Sequence, residues 1–304
     1  MATIPGYVKE VSRKTPVPKR RSTRADRLSP VAALVRRHDR DRYQTVLFAP
    51  AARREALFAL YAFNYEIARV RESVTQPILG QIRLQWWRDN IAAAFEGGPV
   101  RQHVVVAPLT GAIRELALTR ADFDRLIEAR ETDLDDQQPP SLAALREYAE
   151  ASSGRLVRLA LEMLGVQDPR AGEAGLHVGI AYSLAGLLRA MPFHARAGRQ
   201  FIPADIAARS GLSEQDYRAL RSTPALRSAT AELAAAASRH LGLARAHRAK
   251  IPRSALPALL LAVVAQRSLL RLKRAVYDPF DPALAIPDPL QSWRLAAAAL
   301  FNRY

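Results

Sequence analysis

Ala62-Phe63-Asn64-Tyr65-Glu66-Ile67-Ala68-Arg69-Val70-Arg71-Glu72 lies in a run from Pro50 to about Val74 that reads as a helix, and the fold is read outward from it. Apolar residues recur at three- and four-residue steps through Leu57, Leu60, Tyr61, Ile67 and Ala68, the period of a buried helical face. Arg69, Arg71 and Glu72 stand at the far end, on a segment flanked by apolar sequence. An apolar helix with charges at one end predicts a core element whose end lines a site.

The flanking sequence punctuates more helices. Ser29-Pro30 supplies an N-cap and a proline at the first helical position, and the helix it opens runs to the charged cluster His38-Asp39-Arg40-Asp41-Arg42. Pro77 opens a third helix, which Gly97-Gly98-Pro99 ends. Further helical runs are expected over Val100–Leu118, Ala121–Glu131, Ser141–Leu164 and Pro169 to about Ala190, with a loop from Met191 to Pro203. Others follow over 213–222, 224–249 and 253–277, and an amphipathic helix closes the chain. Nothing alternates with period two among β-branched residues. These features predict an all-α fold: a single helical bundle of about ten helices with a buried centre, over residues 29–304. Residues 1–28, rich in Lys, Arg, Pro and Ser, read as a disordered basic arm.

Composition narrows the function. With 304 residues and 49% of them hydrophobic, the chain can bury a substantial core, and having no cysteine it has neither disulfides nor thiolate metal sites. The longest apolar run, Ala255–Ala265, is too short to span a bilayer. The start of the chain carries no apolar signal region; an organellar transit peptide remains an alternative reading of the arm. The net charge is +16, and twelve Lys/Arg against four acidic residues in Met1–Arg42 supply half of it. Such a balance suits an anionic membrane surface or a phosphorylated small molecule, and it is also what a solvated basic tail looks like. Nucleic acid is disfavoured, because the arm has Tyr7 as its sole aromatic and no recognised module.

Several local clusters read as structural. The cluster at His38–Arg42 and the acidic patch Glu131, Asp133, Asp135, Asp136 are expected as solvated helix ends. Trp86 is expected in the core beside Leu79 and Ile82, and Trp87 against a neighbouring helix or a partner. His240 and His247 lack a third ligand, so no metal site is expected. The closing helix places Leu290, Trp293, Ala297, Leu300 and Phe301 on one face, to cap the core or to lie on a membrane.

A second segment pairs with the opening one. From Tyr182 to Pro203 there is no carboxylate, yet Arg189, His194, Arg196 and Arg199 occur there. They suit an anion such as a diphosphate, or the carbonyls at a helix end. Together the two segments resemble the squalene/phytoene synthase family. Arg53–Phe63 resembles the lead-in to that family's first Asp-rich helix, and Leu187-Leu188-Arg189 with Gly198-Arg199-Gln200-Phe201-Ile202-Pro203 resembles the second and its following loop. The resemblance spans about Asp39 to Arg274. It implies a single isoprenoid-synthase-type helical bundle around a central cavity, in which carboxylates on two facing helices hold Mg²⁺ for a prenyl diphosphate.

Laid on this chain, the first motif falls on Ala68, Arg69, Val70, Arg71 and Glu72, and the second on Ala190, Met191, Pro192, Phe193 and His194. Glu72 alone keeps a carboxylate. Pro192 is expected to break or kink its helix. The same replacements at both positions resemble the family's catalytically degenerate branch, which includes a mitochondrial respiratory complex I assembly factor. The resemblance therefore implies no catalytic residues and no cofactor. It implies partners among complex I subunits or other assembly factors, and a prenyl or lipid ligand with Arg71, Arg189, Arg196 and Arg199 near its mouth. Tyr61, Tyr65, Trp86, Trp87 and Phe201 are the accompanying cavity or interaction residues. Such a protein is expected in the cytoplasm, peripheral on the inner membrane, or on the matrix side of a mitochondrion. The alternative is an active transferase that condenses two prenyl diphosphates with Mg²⁺.

Overall fold

The computed structural model describes residues 28–304; the basic arm, apart from Leu28, lies outside the described residues. Among these the chain is all-α. Helices follow as α1 (Pro30–His38), α2 (Arg40–Val46), α3 (Ala51–Ala68), α4 (Pro77–Phe95), α5 (Val106–Glu115), α6 (Arg120–Glu131), α7 (Leu142–Ala149) and α8 (Arg155–Met163). Then come α9 (Pro169–Arg196), α10 (Ala204–Ser210), α11 (Glu214–Arg218), α12 (Pro224–Arg245), α13 (Leu256–Leu259), α14 (Leu261–Arg274) and α15 (Gln291–Leu300). The number exceeds ten because several apolar runs are split by short turns. Ser29 caps α1 as expected, its hydroxyl accepting the Ala32 N–H, with Pro30 at the first helical position.

The long helix α9 is the axis of the bundle, packed on α8, α12 and α14; α3 packs on α1, α5 and α8. Leu57, Leu60, Tyr61, Phe63 and Ile67 of α3 are fully buried. By length and composition α9 could cross a membrane, but 56% of its apolar window is buried among its neighbours, as in a core helix.

The run expected as one helix over Ser141–Leu164 is interrupted at Glu150–Gly154 by a π-turn. Here α9 comes so close that a Cβ on Gly179 would lie 2.5 Å from the Cα of Gly154 and from the Ser153 carbonyl oxygen. Two glycines let the backbones touch where side chains would hold them apart.

Pro192 does not end α9. The helix runs one more turn to Arg196, because losing a single N–H donor costs less than exposing Met191 and Ala195, which are buried. It closes at Gly198, with the Arg199 N–H on the His194 carbonyl.

Trp87 packs against a neighbouring helix, as expected, but Trp86 does not reach the core. Trp87 is buried and meets Phe63 edge-on at 5.3 Å, whereas Trp86 is only half-buried, against His103. Leu79 and Ile82, its expected core neighbours, are exposed. The inward face of α4 instead runs through Gly80, Leu84, Trp87 and Ile91.

Candidate functional site

α3 stops at Ala68, and the chain turns through a 3₁₀ turn at Arg71–Ser73. Arg71 and Glu72 therefore leave the line of the helix. Arg69 is exposed and stays on its own helix, 3.4 Å from the Tyr65 hydroxyl and 3.7 Å from Glu66. Tyr65 stacks on His38 at 4.3 Å. Glu72 is exposed, and Ala190 is half-buried.

The arginines expected at the mouth of a site are mostly answered by carboxylates of this chain. Arg71 donates from Nε to both oxygens of Asp136 (3.2 and 3.1 Å), with a closer contact from its terminal nitrogen. Arg199 reaches Asp136 at 3.0 Å and Asp133 at 3.6 Å. Asp133 also accepts from the Tyr148 hydroxyl at 3.0 Å and from Arg130 at 3.3 Å. Arg130 in turn donates to the Tyr148 oxygen at 2.8 Å. Burial, and then the neighbouring Asp133, hold the Tyr148 phenol above its ordinary range despite Arg130, so it stays a donor. The acidic patch is thus solvated only in part: Asp135 and Asp136 are exposed as expected, but Asp133 is buried and ties its own turn to Tyr148 and Arg199.

A second network lies at the start of the fold. Asp41 accepts from Arg189 at 3.1 Å, from the Tyr182 hydroxyl at 3.1 Å and from Gln291 at 2.8 Å. Burial works to raise its pKa, but Arg189 and these hydrogen bonds overcome it and hold the carboxyl below the usual range. Arg42 is buried, paired with Asp39 at 2.6 Å and placed 5.6 Å from the centre of the Tyr61 ring and 4.8 Å from that of Tyr182. The His38–Arg42 cluster is therefore half interior, because α2 points it at α9. Of the predicted arginines, Arg196 alone is exposed without an ion pair among the described residues.

His194 faces inward. Its ring meets Phe201 edge-on at 4.6 Å, and its Nδ1 is buried with no hydrogen-bond partner. It lines a void of about 10 Å³ with Leu188, Met191, Phe201 and Tyr217. On the other side of Phe201 a cleft of about 430 Å³ opens, walled by Asp133, Asp136, Tyr148 and Arg199. That cleft has the size of a small-molecule site; the void is far below the few hundred Å³ such a site needs.

A Mg²⁺–diphosphate site does not fit these residues. Ala68, Arg69 and Ala190 offer no oxygen ligand, Glu72 points to solvent, and His194 is enclosed by apolar groups. Among the described residues no group of three or more His, Asp or Glu is arranged for a metal.

The environment of His194 carries a pH signature. Burial first, and then Arg199, push its pKa down to about 4. An unfolded histidine titrates near 6.5, so the unfolded state binds more protons between those values. Stability is full above the unfolded pKa and falls as the pH drops toward 4. His240 behaves alike, held at about 4 by burial and by His177, whose Nδ1 is 3.0 Å from its own. We expect the urea midpoint to fall as pH drops from about 6.5 to about 4. His177 is also held below its ordinary range, chiefly by burial, so His194→Leu should flatten the curve in part; a variant with the unaltered slope would contradict this environment.

Residues 35–297 match the model of the squalene/phytoene synthase family. The chain belongs to that family. Complex I assembly factor 6 (NADH dehydrogenase (ubiquinone)) of Bos taurus is 33% identical over 268 residues, which cover 86% of this chain and 80% of that protein. Presqualene diphosphate synthase of Rhodopseudomonas palustris is 29% identical over 203 residues, 66% of this chain and 72% of that one. The same fold occurs in a dehydrosqualene synthase crystallised with a ligand, with a TM-score of 0.79 at 17% identity over 89% of this chain and 94% of the other.

Within this squalene/phytoene synthase frame, Asp41, Asp133, Asp136, Arg130 and Tyr148 are site residues that the motif positions did not reveal. The available signal was an excess of arginine between Tyr182 and Pro203, a segment with no carboxylate of its own. Arg189 and Arg199 are answered from elsewhere in the chain, by Asp41, Asp133 and Asp136.

Proposed function

We propose that this protein is a non-catalytic member of its family that acts in the assembly of respiratory complex I, through complex I subunits or other assembly factors. One observation carries the reading. The arginines that stand where the family's diphosphate chemistry is expected are occupied by Asp41, Asp133 and Asp136 of the same chain. An anion arriving there would have to displace these ion pairs, of which Arg199–Asp133 is shielded from water on both sides. The likeness to complex I assembly factor 6 supports the same conclusion from sequence.

The test is deletion of the gene in the organism that carries it. Assembled complex I and NADH-linked respiration should fall severalfold, succinate-linked respiration should persist, and the wild-type gene should restore the loss. An unchanged complex I level would overturn the proposal.

A further inference from the structure

The last helix presents its apolar side to solvent. Trp293 is 75% exposed and Leu300 71%, on one face of α15, and Phe301 at its end is 67% exposed. Leu290 precedes them, also exposed, and Ala297 lies between. Leu295, on the opposite side, anchors the helix in the core. Core capping thus accounts for Leu295 and not for the face that the sequence marks as apolar. Single exposed leucines are ordinary; a contiguous row of Trp, Leu and Phe on one helix is not.

Along one edge of that face runs a cleft of about 440 Å³, walled by Arg245, Arg248, Arg267, Arg294 and Arg303, with no Asp or Glu in its lining. Arg267 and Arg294 share one acid, Asp288, at 3.0 and 3.2 Å. Arg245 donates to Gln266 and to the main-chain oxygen of Tyr304. Arg248 and Arg303 are exposed and make no ion pair among the described residues. Burial, and then Arg248, draw the Arg245 pKa below its ordinary value. The contrast within the molecule is plain: Arg71 and Arg199 are each answered by carboxylates, whereas here one acid, Asp288, serves two arginines, and Arg248 and Arg303 have none among the described residues.

We propose that α15 and the arginine cleft beside it form a docking surface for an anionic phospholipid bilayer. The residues stand proud of the surface, which suits a fluid interface that closes around them rather than a preformed protein pocket. Trp, Leu and Phe would enter the boundary between headgroups and acyl chains. The guanidiniums would meet lipid phosphates, to which they donate paired hydrogen bonds. The inference is independent of the complex I reading, since it rests on a different face.

The experiment uses the full chain and vesicle flotation. Vesicles of phosphatidylcholine with about 30% phosphatidylglycerol are compared with phosphatidylcholine alone, in about 0.15 M salt. The expected result is at least about tenfold more protein on the anionic vesicles, with a blue shift of tryptophan emission that Trp293→Phe abolishes. Trp293→Ser combined with Leu300→Ser and Phe301→Ser should lower binding about tenfold, and Arg248→Gln with Arg303→Gln about fivefold. All five positions face solvent, so circular dichroism and thermal midpoint should be unchanged in both variants. Binding that survives the triple substitution would assign it to another part of the chain, such as the basic arm, and overturn the proposal. So would equal binding to the uncharged vesicles, or no vesicle binding by the wild type, as expected if a protein partner covers this face.

Discussion

Gly179→Ala is expected to lower the thermal midpoint by about 6–10 °C, a loss of about 3 kcal/mol. The added methyl would stand 2.5 Å from the Cα of Gly154, 2.5 Å from the Ser153 carbonyl oxygen and 2.6 Å from the Gly154 nitrogen. All three are main-chain atoms, so no rotamer change relieves the contact, and α9 or the π-turn at Glu150–Gly154 has to move. Movement there also disturbs Ser153, whose hydroxyl lies 3.5 Å from the buried guanidinium of Arg42. Gly186 on the same helix has open space where its Cβ would be. Gly186→Ala should therefore be neutral or stabilise by about 0.5–1 kcal/mol, because alanine favours a helix. Differential scanning calorimetry of the two variants separates a local clash from a general effect of helical glycine. Equal midpoints would contradict the close crossing.

The second large effect is expected at Asp133. Asp133→Ala should cost about 3–5 kcal/mol, read as a drop in the urea midpoint with little change in slope. The carboxylate lies between Arg130 and Arg199, whose side chains are 14% and 16% exposed. Its removal leaves two shielded guanidiniums with like charge and takes the acceptor from Tyr148. Asp136 still answers Arg199, and its side chain is 35% exposed, so Asp136→Ala should cost less, about 1 kcal/mol. If Asp133→Ala were no worse than Asp136→Ala, the buried network would not be what holds the Glu131–Asp136 turn against α7 and the loop after α9.

The helical class and the inward face of α3 were legible because they are local. Leu57, Leu60, Tyr61 and Ile67 repeat at the helical period, and Ser29-Pro30 marks a helix start whatever lies beyond. The expectation that no Mg²⁺ is held rests on sequence in the same local way, since Ala68 and Ala190 offer no oxygen ligand whatever the fold around them. The remainder was not local. Asp133 and Arg42 look solvated by spacing alone, and only the arrival of Arg199 and Tyr182 from distant segments makes burying them affordable. The orientation of α4 was misread because Trp86 and Trp87 are equivalent in composition. Phe63 and Phe123, which meet each other and line the inner side, settle which one turns inward. The outward face of α15 has the same origin. An amphipathic pattern marks an apolar side, and what covers that side is decided outside the helix.

We propose that the ion pairs of Arg71, Arg189 and Arg199 with Asp41 and Asp136 stand in place of a site for metal-bound diphosphate. This is tested most directly by incubating the purified full-length protein with farnesyl diphosphate and Mg²⁺ and measuring released diphosphate. The account predicts no release above a heat-killed control. Mg²⁺-dependent release above that control would contradict it and return the chain to the catalytic side of its family.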